Sequence, residues 1–195
     1  MKIKKFLAVF LCAVLVGELF VYSAAYAEKE TLPFSKKDFE LYSGVGGWYA
    51  FLKIKESGKF QGGYHDYDGG DSGEGYDQTV YFCNYTGKFK SIKKTGEYSY
   101  ALKLGKVTLK KVKKRVEIGQ EERIRYVALK KPYGVEKGKS FILYCPGYEI
   151  SKLPKKAKEW FYGYGISETQ KSLESYLLYN KKTGETFYSG NEKNA

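Results

Sequence analysis

Five carboxylates and the only histidine of the chain fall together in His65-Asp-Tyr-Asp-Gly-Gly-Asp-Ser-Gly-Glu-Gly-Tyr-Asp77. Asp66, Asp68, Asp71, Glu74 and Asp77 are hard oxygen donors of the kind calcium takes, and the glycines between them let the backbone turn inward. The alternate acids at the start and the acid at the twelfth position resemble an EF-hand loop. The match then breaks, because the fifth position is Gly70 and the glycine required at the sixth is Asp71. Two other readings compete: a solvated Gly/Asp turn held by side-chain to backbone bonds, and a lid whose acids pair with lysine or arginine over the mouth of the fold. Tyr64, Tyr67 and Tyr76 add aromatic faces that suit a cationic ligand.

Catalysis has little to build on. Gly70-Asp-Ser-Gly73 matches the tetrapeptide around a serine-protease nucleophile, but that chemistry needs a separate general-base histidine, and His65 lies close before Ser72. Carboxylates of the loop are candidates for a hydrolase pair, although a Gly-rich segment holds two carboxyls poorly at a fixed separation. One histidine and three cysteines rule out multi-histidine zinc sites and zinc ribbons. The chain therefore reads as a non-enzymatic protein, with a hydrolase using the acidic loop as an alternative.

The remaining charge is of opposite sign. The sequence carries 34 Lys and Arg against 22 Asp and Glu, a formal +12. Lys110, Lys111, Lys113, Lys114 and Arg115 form the densest tract. With Lys103 and Lys106 they interleave with Leu102, Leu104, Val107, Leu109 and Val112, which predicts a strand hairpin with one basic face. That face is a candidate dock for an anionic envelope polymer or lipid headgroups; the alternative is a solvated face whose lysines protect an edge. Nucleic acid is an equally charged partner but is not expected outside the cell. The 20 tyrosines include platforms such as Tyr162, Tyr164, Tyr176 and Tyr179, which suit flat ligands and suit sheet pairing equally.

Export is expected from the N-terminus. Lys2, Lys4 and Lys5 precede an apolar run from Phe6 to Gly17, and Ala25-Tyr26-Ala27 has the small-x-small pattern of a cleavage site. Cleavage after Ala27 leaves residues 28–195 as one domain, with no transmembrane segment, secreted or associated with the cell surface. It removes those three lysines and Glu18, a net +2, so the mature chain keeps +10. Cys83 and Cys145 survive processing, either as a disulfide or as two buried thiols.

These candidates must be carried by strands. Trp48–Ile54 and Lys59–His65 flank a Ser57-Gly58 turn, and further strand-like runs begin at Thr79, Gly87, Tyr98, Val107, Arg123, Ser140, Ser172 and Glu185. Ser35-Lys-Lys-Asp38, with Phe34 and Phe39 at staple spacing, predicts a short helix to about Tyr42, and Leu153–Phe161 with Pro154 predicts another. Short strands without βαβ alternation indicate an all-β fold, an antiparallel up-and-down β-barrel in preference to a β-sandwich, with one or two short helices.

Gly46-Gly47-Trp48, at the start of the first predicted hairpin, resembles the lipocalin signature. The resemblance implies a barrel closed at one end by Trp48, packed under an arginine for which Arg123 and Arg125 are the candidates. Ser43-Gly-x-Gly-Gly-Trp48, Gly63-Tyr-His-Asp-x-Asp-x-Gly-Asp71, Ile124-Arg-Tyr-Val127, Pro132-Tyr-Gly134 and Leu143-Tyr-Cys-Pro-Gly147 are similar to a group of exported proteins of Gram-positive bacteria without an assigned reaction or ligand. The expected function is a secreted, lipocalin-like binding protein for a small ligand or envelope component, with Trp48, Tyr64, His65, Tyr67, Tyr76 and Arg125 as ligand contacts. The alternative is polyanion binding through the lysine hairpin.

Overall fold

Along Lys36–Tyr42, Trp48–Lys55 and Ser99–Leu109 the side chains largely alternate between two environments, and that alternation sets the architecture. The computed structural model describes residues 30–43, 47–119 and 122–190; the expected signal peptide lies outside them. Ten strands run in the order β1 (Lys36–Tyr42), β2 (Trp48–Lys55), β3 (Lys59–Asp68), β4 (Gln78–Gly96), β5 (Ser99–Leu109), β6 (Arg115–Ile118), β7 (Arg123–Ala128), β8 (Ser140–Tyr144), β9 (Leu177–Asn180) and β10 (Thr186–Tyr188). One helix, α1 (Lys155–Gly163), sits between β8 and β9.

Strands β1 to β5 form an antiparallel meander, β8, β9 and β10 continue it, and β10 returns to β1, closing an eight-stranded up-and-down barrel. The hairpin β6–β7 lies outside the ring, with β7 parallel to the first residues of β4, where β5 does not reach. Followed from Glu40, the ladder arrives at Lys110 by one route and at Ser99 by the other, so the strands are steeply tilted.

The interior is filled. Phe39, Leu52, Tyr85, Phe89, Phe141 and Phe187 are at most 1% exposed and share one apolar cluster. Gly62 and Gly87 face inward beneath the rings of Tyr85 and Phe60, and a β-carbon at either would overlap those rings. Large rings over bare backbone bring a small barrel to native density.

Two sequence expectations change, and the two cysteines take one of their two expected forms. The segment after Ser35 is strand β1, because Phe39 and Leu41 point inward while Lys36, Asp38 and Glu40 point out, a period of two that overrides the capping signal. Phe34 and Phe39 still meet, with ring centroids 6.0 Å apart. The lysine-rich tract is not a hairpin: β5 ends at Leu109 and 110–114 is irregular and exposed. Consecutive lysines break the alternation there, and β7 occupies the edge of β4 that a longer β5 would need. Cys83 and Cys145 are both free and buried. Cys83 pairs with Tyr64 near the end that carries Trp48, while Cys145 bonds to Tyr98 at the β4–β5 turn, so no disulfide joins them. Burial pushes the Cys145 thiol up to about 11.

Helix α1 follows Pro154, as expected, and covers the outside of β8–β10. Its Ala157 and Phe161 pack with Leu153, Tyr144 and Leu177 in a second apolar cluster. Just after the helix, the Tyr164 hydroxyl donates to the Thr186 carbonyl on β10 at 2.7 Å and lies 3.3 Å from the Glu40 carbonyl on β1.

Candidate functional site

The acidic loop is pinned from the side by β7. Asp68 accepts the backbone N–H groups of Gly70 and Asp71 at 3.0 and 3.1 Å, which shapes the turn. Asp71 then accepts from the Tyr81 hydroxyl and the Arg125 guanidinium, and its carbonyl takes the Thr79 hydroxyl at 2.8 Å. Asp77 accepts both the backbone N–H of Arg123 at 2.8 Å and its guanidinium at 3.1 Å. Tyr81 and Arg125 hold the Asp71 carboxyl below the usual range, and Arg123 does the same for Asp77. Neither is poised as a general acid, which needs a raised value. Among the described residues no three His, Cys, Asp or Glu side chains gather as a metal-ligand set, and Asp71 and Asp77 turn their carboxylates to arginine.

Strand parity divides the expected ligand contacts. Trp48 and Tyr64 face the inner side of the barrel end, where Trp48 lies 6.2 Å from Tyr64 and 6.3 Å from Trp160, and Tyr64 stacks on Tyr133 at 5.2 Å. Neither candidate arginine caps Trp48: Arg125 lies over Tyr76 at 4.1 Å beside Asp71, and Arg123 binds Asp77. These two arginines leave β7 toward the acids of the loop, and aromatic rings fill the place above Trp48. His65 and Tyr67 point outward. His65 stacks on Tyr49 at 5.1 Å, and burial lowers its pKa. Together with Phe51, Phe82, Tyr126 and Arg115 they line an outer cleft of about 300 Å³ beside β7.

The expected polyanion contacts also separate. Lys110, Lys111, Lys113 and Lys114 lie exposed on the irregular segment, whereas Arg115 folds over Tyr126 at 4.3 Å and pairs with Glu117 at 2.6 Å.

A second basic surface has more geometry. The outer face of β1–β5 holds a groove of about 710 Å³ lined by Lys36, Lys53, Lys55, Lys59, Lys88 and Lys106, with no carboxylate among the described residues of its lining. Five of these lysines form one cross-strand row. Lys36 stands directly opposite Lys55 and Lys59 directly opposite Lys88, while Lys106 follows on β5 beyond the bulge at Gly87–Phe89. The adjacent row is nearly neutral: Lys53, paired with Asp38 at 2.9 Å, then Gln61, Thr86 and Thr108. Like charges directly opposite in a sheet are unfavourable, so the placing of Lys36 against Lys55 is costly for the free protein and suits an anion. No run of sequence betrays it, since its members lie between positions 36 and 106; the alternation Lys53, Lys55, Lys59 within one hairpin is the only local sign.

No family model, curated protein or solved structure matches the chain. Its function must be read from these surfaces.

Proposed function

We propose that this protein is a non-enzymatic binder of linear polyanions, acting after export at or outside the cell surface. The observation that carries the reading is the row Lys36, Lys55, Lys59, Lys88 and Lys106 in a concave groove whose described lining holds no acid, on a mature chain expected to keep a net charge of +10. The filled barrel supports it further, because a small ligand in the centre would have to displace Phe39, Tyr85 and Phe141. Lys110, Lys111, Lys113 and Lys114 extend the attraction along the surface and raise the rate of encounter. Calorimetric titration with polyphosphate tests the proposal: affinity falls steeply as salt rises, since bound cations are released. Binding that is absent or insensitive to salt refutes it.

A second reading rests on the outer cleft, where His65 and Tyr67 meet Phe82 and Tyr126 around about 300 Å³, enough for one small ring-bearing ligand. Native mass spectra of the chain from an exporting host would then carry an extra mass that is lost in Tyr67→Ala. A bare chain from the same host argues against it.

A further inference from the structure

Building on the polyanion reading, we infer that the ligand of the lysine groove is a polyol-phosphate chain, a phosphodiester polymer with free hydroxyls laid across the strands. Its phosphates rest on the row from Lys36 to Lys106, and its hydroxyls meet Gln61, Thr86 and Thr108 in the neighbouring row.

Each row answers a different part of such a chain. Neighbouring strands lie about 4.8 Å apart, so the five lysines cover about 19 Å from β1 to β5. Lysine is a compact charge on a flexible stem, which tolerates the uneven phosphate spacing of a pliable chain better than the rigid fork of arginine. The second row lies about 7 Å along the strands. It offers one amide and two hydroxyls, and the lysine at its β2 position is neutralised by Asp38. These groups both donate and accept hydrogen bonds, as polyol hydroxyls require. A bare polyphosphate, which only accepts, would match their donors and leave the Gln61 carbonyl and the threonine lone pairs to water.

Other polyanions fit less well. Among the described residues of the lining Phe60 is the one aromatic and is 3% exposed, so they offer nucleobases no platform to stack on.

The experiment uses the mature chain with glycerol-phosphate oligomers of graded length, polyphosphate of matched charge and single-stranded DNA, each at two salt concentrations. Oligomers are expected to bind about tenfold tighter than matched polyphosphate, as one or two added hydrogen bonds allow. Affinity should climb with length until about 19 Å is spanned and then level off. Lys55→Gln with Lys59→Gln lowers the salt slope by about two. Gln61→Leu with Thr86→Val abolishes the preference for the polyol chain while polyphosphate still binds, which separates lost recognition from lost folding. Equal or tighter binding of polyphosphate or DNA overturns the polyol assignment and leaves the polyanion reading standing. Binding that ignores Lys55 and Lys59 but disappears in Lys111→Gln with Lys113→Gln moves the site to the irregular tract and overturns the groove. Failure of every polyanion to bind overturns the proposed function itself.

Discussion

The two outer walls of this barrel are built by the same alternation and have opposite fates. On β8–β10 the outward positions include Tyr144, Leu177 and Tyr179, and α1 lies over them. On β1–β5 the outward positions near the β2–β3 turn are lysines, with an open groove between them. Burying apolar area stabilises the first wall, whereas mutual repulsion weakens the second. A wall that lowers the stability of the free protein is the one to examine for a partner.

Removing the buried aromatic of the covering helix tests the contrast hardest. Phe161→Ala is expected to cost about 3–5 kcal/mol, read from denaturant unfolding, because the side chain is 1% exposed and its loss leaves a cavity. A loss under about 1 kcal/mol would mean that the helix contributes little to that wall. Tyr164→Phe removes one hydroxyl bond to Thr186 and is expected to cost about 1 kcal/mol in the same assay. The open wall should respond with the opposite sign. Lys55→Gln with Lys59→Gln raises stability by up to about 1 kcal/mol at low salt, and the gain shrinks as salt screens the repulsion. Destabilisation by that pair would show that the row is not under strain.

The smallest effect is local. Asp71 and Asp77 titrate below their ordinary values, so the pinning they supply is fully present above the unfolded carboxyl value, about pH 4, and is lost as pH falls through their lowered values. Hydrogen exchange at Gly70 and Asp71 should therefore accelerate below pH 4 beyond the intrinsic trend, and in Arg125→Gln already at neutral pH.

The barrel was largely legible in the sequence because period-two patterning survives in single strands, as in Phe60, Gly62 and Tyr64 of β3. What misled was local chemistry with two uses. The Ser35 capping signal and the Phe34–Phe39 pair fit a helix start, yet the apolar residues that follow, Phe39 and Leu41, obey the strand period. The parallel docking of β7 on β4 had no local marker, since it depends on where β5 stops. The contiguous lysines of 110–114 were conspicuous and have little geometry, whereas the ordered row is scattered over five strands and appears only once register is known. In the acidic loop, the pairing of acids with arginine was among the competing readings. Arg123 and Arg125 as the partners emerged only from the placement of β7.

The join between β1 and β10 carries a consequence for how the chain folds. These strands share one register position, Glu40 with Tyr188, whereas β3 and β4 share ten. Local hairpins form first, because closing a short loop costs less entropy than joining distant segments. The meander β1–β5 is therefore expected to assemble as an open sheet, with the first and last strands meeting late. Tyr164, reaching both carbonyls, is the latch on that step, and a chain cut before Thr186 would be left with two raw edges and a tendency to pair with its neighbours.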